Sequence, residues 1–242
     1  MGELLILDPV ERTAQSNMDT DARLLHDLDP LGSAILHHYH WRGPCATYGH
    51  FAKPEQLLNL AQAGAAGLNL GKRPTGGGVI FHLTDLAFSF FLPSGHPCYS
   101  LNTLDNYRFV NELVIQALRR FRGRELQGAL LAAEPQPMTP AAQHFCMAKP
   151  TKYDVIVEGR KVGGAAQRRM RQGLLHQGSI SITALPEEML EKVLLPEQRV
   201  LDAMRLHTYA LCDRLTAKEL EEARSELRAL LNSAATQALQ AF

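Results

Sequence analysis

The sequence predicts an α/β fold in which helices flank one mixed sheet. Short apolar or alternating runs, typical of β-strands, recur through most of the 242 residues and are separated mainly by short turns. Segments with helical periodicity lie between only some of these runs, so a purely parallel βαβ arrangement is not expected. Because the chain shows no internal repeat or interdomain linker, we expect residues 1–242 to form a single domain.

The first half of the chain alternates strand and helix signals. Apolar or aromatic runs bounded by Pro, Gly or Asp predict strands at residues 3–7, 34–41, 45–49 and 86–92. Apolar residues at helical spacing predict a helix over 18–28. A second helix is predicted over 53–65, where Pro54 suits the first turn.

The second half contains the longest helical pattern, a hairpin and a helical end. The pattern predicts a helix from about residue 102 to 121, followed by a long Pro-rich connection over 123–150. Residues 153–162 have the pattern of a hairpin with a Glu-Gly turn, and 179–183 predict the last strand. The pattern is helical again from about residue 186.

Composition and charge argue against several classes of function. The chain has 25 basic and 25 acidic residues, so its overall charge does not indicate a nucleic-acid partner. No apolar run approaches the ~20 residues that span a bilayer, and we expect no membrane partner. The four cysteines are widely scattered and form no metal-binding spacing, so we expect no metal site and reduced thiols in a cytoplasmic protein.

The stretch at residues 72–82 is the most unusual part of the sequence. Two cations, Lys72 and Arg73, precede a Pro-Thr turn. Three glycines and an apolar run follow, namely Gly76, Gly77, Gly78, Val79, Ile80, Phe81 and His82. Consecutive glycines lose much backbone entropy on folding, so such a run is expected where the backbone approaches another group closely. Beside two cations that group could be an anion, although a mobile glycine-rich hairpin explains the pattern equally well.

Two later segments also contain residues suited to chemistry. A hairpin turn presents Lys161, which is followed by the small residues Gly163, Gly164, Ala165 and Ala166. A lysine beside such small residues could hold a phosphate or a developing carboxyl charge, but solvated turn charges and close packing would give the same pattern. His176 begins a His-Gln-Gly-Ser run, and a lone histidine is more often a structural hydrogen-bonding group than a catalyst.

Taken together, the three segments resemble the lipoate–protein ligase family, within the superfamily that includes biotin–protein ligases and octanoyltransferases. The family pattern is Arg-Arg-x-Ser/Thr-Gly-Gly-Gly-x-Val-Phe-His, then a Lys-x-x-Gly-Ser-Ala-Gln-like segment, then His-His/Gln-Gly-Ser/Thr. The resemblance covers residues 41–183. It implies the catalytic-domain fold of that superfamily, a single mixed and largely antiparallel sheet flanked by helices, with a helical segment after about residue 186.

The resemblance also implies roles for these residues. Lys161 would be the main catalytic residue, in contact with the carbonyl and α-phosphate oxygens of an acyl-adenylate. Arg73 and the backbone of the three glycines would enclose the phosphate and carboxyl end. The adenine, the acyl chain and the lipoyl ring would be bounded by Val79, Phe81, His82, Gly163, Gly164, Ala165 and His176. The chain departs from the family pattern at Lys72, which replaces an arginine, and before Asp85, where two residues intervene.

A second chemistry within the same superfamily would depend on Cys146. Some octanoyltransferases have their nucleophilic cysteine at a closely similar place, where the thiolate takes the acyl group from an acyl-carrier-protein thioester without ATP. Nearby cations would favour the thiolate, and Lys149, Lys152 and Lys161 could supply them. The alternative is a buried, inert thiol. Because those transferases more often have Gly-Gly-Arg at the position of Gly78, the pattern favours the ligase.

The sequence therefore predicts a cytoplasmic lipoate–protein ligase, with octanoyl transfer through Cys146 as the alternative. ATP and Mg²⁺ would activate lipoate or octanoate as acyl-AMP. The acyl group would then pass to a lysine of a lipoyl domain in a 2-oxoacid dehydrogenase, or of the glycine-cleavage H protein. A separate accessory polypeptide is a further expected partner, since some short ligases use one. A binding module without catalytic activity is a third hypothesis.

Overall fold

The computed structural model of the protein describes residues 3–123, 126–196 and 199–241. The first eight strands are β1 (Leu4–Leu7), β2 (Glu11–Arg12), β3 (Ala34–His38), β4 (His40–Trp41), β5 (Cys45–Tyr48), β6 (Asn69–Lys72), β7 (Val79–His82) and β8 (Asp85–Pro93). The later strands are β9 (Ala129–Leu130), β10 (Val155–Val157), β11 (Arg160–Met170) and β12 (Gly173–Ser181). The helices are α1 (Ala14–His26), α2 (Leu60–Ala65), α3 (Thr103–Leu118), α4 (Glu187–Val193), α5 (Val200–His207) and α6 (Ala217–Gln240).

A seven-stranded mixed sheet forms the centre of the molecule, in the order β1-β3-β8-β12-β11-β10-β9. Strands β1 and β3 pair in parallel, and the remaining neighbours in this sheet pair antiparallel. The predicted α/β class with a mixed, largely antiparallel sheet is therefore confirmed. The Glu-Gly turn of the predicted hairpin is also confirmed, and it joins β10 to β11.

A smaller sheet in the order β6-β5-β7 lies beside the main one. Strands β5 and β6 pair in parallel, whereas β5 and β7 pair antiparallel. This sheet presents the glycine-rich stretch, because β6 ends at Lys72 and β7 begins at Val79. Its apolar residues form a second core with α2, α4, α5 and the loop that contains Cys146.

Alternate residues of β8 divide the main core into two faces, as the pleat of a strand requires. Phe88 and Phe90 pack with apolar residues of α3 and α6 on one face. Phe91 packs with Leu25 at the end of α1 and with Leu175 of β12 on the other face. The second face, covered by α1 and the smaller sheet, is the one on which the pocket described below lies.

Two predicted helices differ from those observed. Helix α1 begins at Ala14, earlier than the predicted 18, because the side chain of Thr13 caps it by accepting from the Ser16 N–H. The segment predicted as a helix over 53–65 is interrupted at Leu58, which forms a β-bridge with Leu194. A 3-10 turn precedes this bridge, and α2 follows it.

Two predicted strand and loop assignments also differ. The connection predicted over 123–150 contains a short strand, β9, which pairs with β10. The last strand occupies Gly173–Ser181 rather than 179–183, so the His-Gln-Gly-Ser run lies inside β12. The sequence pattern missed this extension because Gly173 and Gly178 weaken the strand signal.

The C-terminal helices complete the cover of the main sheet. Helix α6 begins with a capping box, in which Thr216 and Glu219 satisfy each other's backbone N–H groups. From this helix Arg224 donates to the carbonyl oxygens of Leu83 and Asp85, at 3.0 Å each. None of the helices in the described residues combines the length and the hydropathy required of a transmembrane span.

Gly71 of β6 permits the close approach of α1 to the smaller sheet. A Cβ atom at Gly71 would lie 2.6 Å from the carbonyl carbon of Ala14. We expect Gly71→Ala to push the start of α1 away and to lower the free energy of unfolding by about 1–3 kcal/mol, measured by urea denaturation.

Gly64→Ala is the matched control, since a Cβ atom there meets no heavy atom within 4 Å and the residue lies in α2. Alanine at a helical position stabilises by about 0.5–1 kcal/mol relative to glycine. Equal stability of the two variants would contradict the proposed close contact between β6 and α1.

Candidate active site

A pocket lies between the main sheet and the smaller sheet, with about 410 Å³ of unoccupied space out to its mouth. Strands β11 and β12 form its floor, β7 and Arg73 lie opposite, and α1 closes one side. Its apolar lining includes Met18, Ile80, Met147, Ala165 and Ala166. The polar groups that face it include Arg73, Cys146, Lys161 and Gln177. A mainly apolar pocket with a few convergent polar groups is typical of a ligand site.

Cys146 is held at this pocket by the backbone of β7. The Cys146 N–H donates to the carbonyl oxygen of Val79 at 2.9 Å, and Phe145 forms a parallel bridge with Val79. A Cβ atom at Gly78 would lie 1.9 Å from the carbonyl oxygen of His144. We call the segment around Cys146, residues 144–147, the cysteine loop. Gly78 is therefore required for the cysteine loop to pack against the start of β7.

Arg73 is buried beneath the glycine loop, and both of its terminal nitrogens donate to protein oxygens, whereas its Nε has no hydrogen-bond partner among the described residues. One terminal nitrogen donates to the carbonyl and hydroxyl oxygens of Thr47, at 3.0 and 2.9 Å. The other donates to the carbonyl oxygens of Gly76 and Gly78, at 3.1 and 2.8 Å, and lies 4.0 Å from the sulphur of Cys146. The guanidinium thus shapes the glycine loop and places a positive charge beside a thiol.

Lys161 braces the cysteine loop from the main sheet. Its ammonium donates to the carbonyl oxygen of Cys146 at 2.8 Å and forms an ion pair with Asp154 at 2.6 Å. The two side chains are only 3% and 2% exposed, so neither charge is screened much by water. A Cβ atom at Gly164 would lie 2.4 Å from the Lys161 ammonium, and the absence of a side chain there leaves room for the pair.

A buried polar network lines the side of the pocket next to α1. Gln177 donates to Asp21 at 2.7 Å and to the Tyr39 hydroxyl at 3.2 Å, and it accepts from Thr75 at 2.6 Å. Asp21 also accepts hydrogen bonds from His37, Tyr39 and Ser89. Burial and the charge of Asp21 raise the pKa of Tyr39 well above its ordinary value, so its hydroxyl remains a donor.

His82, at the end of β7, is fixed on both ring nitrogens. Its Nδ1 lies 2.8 Å from Asp85 and its Nε2 lies 2.9 Å from the hydroxyl of Thr47. The ring stacks on Trp41 with a centroid separation of 4.4 Å. Burial acts to raise the pKa of Asp85, but His82 and the Ser179 hydroxyl outweigh it and hold the pKa below its ordinary value.

The structure brings together several of the residues that the sequence predicted for the site. Those that line the pocket are Arg73, His82, Cys146, Lys161, Gly164 and Ala165. Gly76 to Gly78 form the loop around Arg73, and Gly77 adopts a φ of +90°. A Cβ atom built there lies 3.9 Å from the Cys146 sulphur, so the Gly77 backbone borders the thiol.

Other predicted site residues lie in the cores rather than at the pocket. Val79 and Phe81 pack into the second core, and Gly163 faces Val114 in the main core. His176 is fully buried, with Gln167 donating to its Nδ1 at 2.8 Å. Burial lowers the pKa of His176 to about 3, so this histidine is neutral. It does not belong to the pocket lining.

The sequence analysis missed Asp154, Asp21 and the proximity of Arg73 to Cys146. Asp154 immediately precedes β10, and its position across the hairpin from Lys161 was a usable signal for an ion pair. No comparable signal was present for Asp21, which contacts the pocket-lining Tyr39 and Gln177 only through the packing of α1. The ammonium groups expected near Cys146 lie elsewhere, since that of Lys149 donates to Glu134 and that of Lys152 lies over the ring of Tyr153.

Comparison with known proteins places this arrangement in a family. A family model described as the lipoyl protein ligase A/B catalytic domain matches residues 13–209. The chain belongs to this family. The resemblance found in the three sequence segments is therefore confirmed.

Several curated relatives of this family member are named octanoyltransferases. The octanoyltransferase LipM of Kyrpidia tusciae is 28% identical over 197 residues, which cover 78% of this chain and 72% of that protein. The octanoyltransferase LipM of Bacillus subtilis is 27% identical over 192 residues, which cover 78% and 69%. The protein is also similar in fold to a lipoate–protein ligase A bound with ATP, with a TM-score of 0.68 and 19% identity over 99% of this chain and 94% of that one.

The prediction of an ATP-dependent ligase is wrong. The relatives whose sequences match most of this chain are named octanoyltransferases. The likeness to the ligase structure, at 19% identity, establishes only the fold. Two contacts explain the error. The backbone of His144 packs against Gly78 and leaves no room for a side chain there, and the two terminal nitrogens of Arg73 donate to four protein oxygens.

Gly78→Ala should detach the cysteine loop from β7, because the new Cβ atom would overlap the backbone of His144. We expect the opening free energy of the Cys146 amide to fall by about 1–3 kcal/mol, which speeds its hydrogen exchange by roughly 5- to 160-fold. Exchange measured by mass spectrometry on peptides that contain Cys146 checks this.

Gly76→Ala in the same loop is the control, since a Cβ atom there meets no heavy atom within 4 Å. Its exchange at Cys146 should match that of the unmodified protein. Protection that is equal in both variants would show that Gly78 does not seat the loop.

Proposed function

We propose that this protein is an octanoyltransferase that moves an octanoyl group from an acyl-carrier-protein thioester to a lysine of a lipoyl domain through Cys146. The names of its relatives support octanoyl transfer. The proposal depends on one observation, the position of Cys146 in the pocket with its sulphur 4.0 Å from Arg73 and its carbonyl oxygen held by Lys161. A cysteine beside fixed cations in an accessible pocket has the surroundings of a reactive thiol.

Transfer through Cys146 takes two steps. First, the thiolate attacks the carbonyl carbon of the donor thioester, the carbon–sulphur bond to the carrier breaks, and the carrier thiolate leaves and takes a proton from water. Second, the neutral amine of the acceptor lysine attacks the acyl-Cys146 thioester. An amide forms, Cys146 leaves as the thiolate, and the amine releases one proton.

Arg73 and Lys161 supply fixed positive charge near the start of this path. Both steps build negative charge on the carbonyl oxygen of the acyl group, and preorganised cations stabilise such charge without further reorganisation. The ion pair with Asp154 fixes the Lys161 ammonium, which suits an electrostatic role. The backbone of Gly77 borders the sulphur, so the reacting carbonyl can approach without meeting a side chain there.

ATP and Mg²⁺ have no role in this reaction, because a thioester is already activated. Within the described residues, no group of three or more His, Cys, Asp or Glu side chains is arranged to hold a metal ion. The acceptor is a lipoyl domain of a 2-oxoacid dehydrogenase or the glycine-cleavage H protein. A catalytic free thiol fits a reducing compartment, in agreement with the expected cytoplasmic location.

Octanoyl transfer to a purified lipoyl domain should proceed from octanoyl-acyl carrier protein without ATP. Replacing Cys146 with Ala removes the nucleophile and should lower the transfer rate on the order of 10³-fold. Mass spectrometry of the lipoyl domain measures the product.

Cys98→Ala provides the control, since Cys98 is a half-buried free thiol outside the pocket lining. Its transfer rate should match that of the unmodified protein. Transfer that needs ATP, or that survives Cys146→Ala, would overturn the proposal.

A further inference from the structure

Strand β7 extends along the pocket from the reactive thiol of Cys146 to His82. Cys146 is hydrogen bonded to the carbonyl of Val79, at the start of the strand, and His82 is its last residue. Three residues of an extended strand span roughly 10 Å. Side chains alternate along β7, and Ile80 and His82 are the ones that face the pocket. A linear acyl group attached to Cys146 can therefore run beside β7 towards His82.

Three aromatic rings close the far end of this path. His82 stacks on Trp41 at 4.4 Å, and Trp41 contacts Tyr39 at a centroid separation of 4.8 Å. We call these residues the aromatic wall. Two of the three rings are anchored by hydrogen bonds, since Thr47 and Asp85 hold His82 and the buried network around Asp21 holds Tyr39. The wall therefore cannot swing aside without breaking buried hydrogen bonds.

A second cavity lies directly behind the aromatic wall. It contains about 780 Å³ of unoccupied space out to its mouth, and all three wall residues line it. Tyr39 and His82 also line the first pocket, so these two side chains separate the two spaces. The walls of the second cavity are polar and include Glu221, Arg224 and Arg228 of α6.

We propose that the aromatic wall sets the maximum length of acyl chain that the pocket accepts. This inference rests on the proposed acyl transfer and defines its substrate class as linear medium-chain acyl groups. With single C–C bonds of about 1.5 Å in a zigzag, an extended eight-carbon chain is roughly 9 Å long, which matches the distance from Val79 to His82. A longer chain would press its tail against Tyr39 and His82, whereas a wall with a smaller side chain would admit that tail to the second cavity.

His82→Ala and Tyr39→Leu test the wall independently. In the first variant Asp85 keeps its hydrogen bond from Ser179, and in the second Asp21 keeps those from His37 and Gln177. We would measure the acylation rate of Cys146 with a series of thioesters from hexanoyl to tetradecanoyl. The ratio of the dodecanoyl rate to the octanoyl rate should rise roughly tenfold or more in both variants, since one excess methylene alone can cost that factor in a closed pocket.

Phe91→Ala is the control for a general loosening of the fold, because Phe91 is equally buried but packs with Leu25 and Leu175 away from the wall. Its chain-length profile should remain that of the unmodified protein. A profile that is unchanged in both wall variants, or changed equally by Phe91→Ala, would overturn the inference.

Thermal stabilisation by free fatty acids of the same lengths separates this inference from the proposed function. Binding of an acid in the pocket needs no reaction at Cys146. In one outcome, no thioester acylates the unmodified protein, but octanoate stabilises it best and the wall variants prefer longer acids. That result contradicts the proposed transfer and supports the inference about chain length. In the other outcome, thioesters acylate Cys146 and the wall variants keep the octanoyl preference. That result supports the proposed transfer and contradicts the inference about chain length.

Discussion

The candidate active site depends on a backbone contact between the cysteine loop and β7. The loop can lie against the strand only because Gly78 has no side chain, and the hydrogen bond from the Cys146 N–H to the Val79 carbonyl then fixes the thiol at the pocket. Arg73 gathers the carbonyl oxygens of the glycine loop on one side, and Lys161 holds the Cys146 carbonyl on the other. Two chain segments that are far apart in sequence thus position one sulphur atom.

Buried charges support this arrangement, and each has several partners that offset its desolvation. Asp154 accepts hydrogen bonds from Thr151 as well as pairing with Lys161. Asp21 accepts from side chains on β3, β8 and β12, and so ties α1 to the sheet that forms the pocket floor. A buried pair of this kind contributes little net stability compared with apolar residues, but the loss of one partner costs about 3–5 kcal/mol. These groups therefore fix geometry more than they add to stability.

The sequence predicted the fold and several residues that the structure brings to one pocket, but it did not predict the chemistry. Periodicity and turn residues predicted the mixed sheet, and the glycine stretch, Lys161 and Cys146 all reach the pocket. The choice between ligase and transferase failed because it rested on Gly78, whose function depends on a contact with His144 that lies far away in the chain. The role of Asp21 was invisible, since it arises from the packing of α1 and local sequence does not encode it, whereas the position of Asp154 across the hairpin from Lys161 was a signal that the sequence analysis missed.

The central claim is that Cys146 itself accepts the acyl group, and trapping that intermediate tests it most directly. The protein would be incubated with octanoyl-acyl carrier protein, with neither ATP nor an acceptor domain, and then digested and analysed by mass spectrometry. The account predicts one octanoyl group on the peptide that contains Cys146, released by hydroxylamine as expected of a thioester. An octanoyl group on another residue, or none at Cys146 while transfer to a lipoyl domain proceeds, would contradict it.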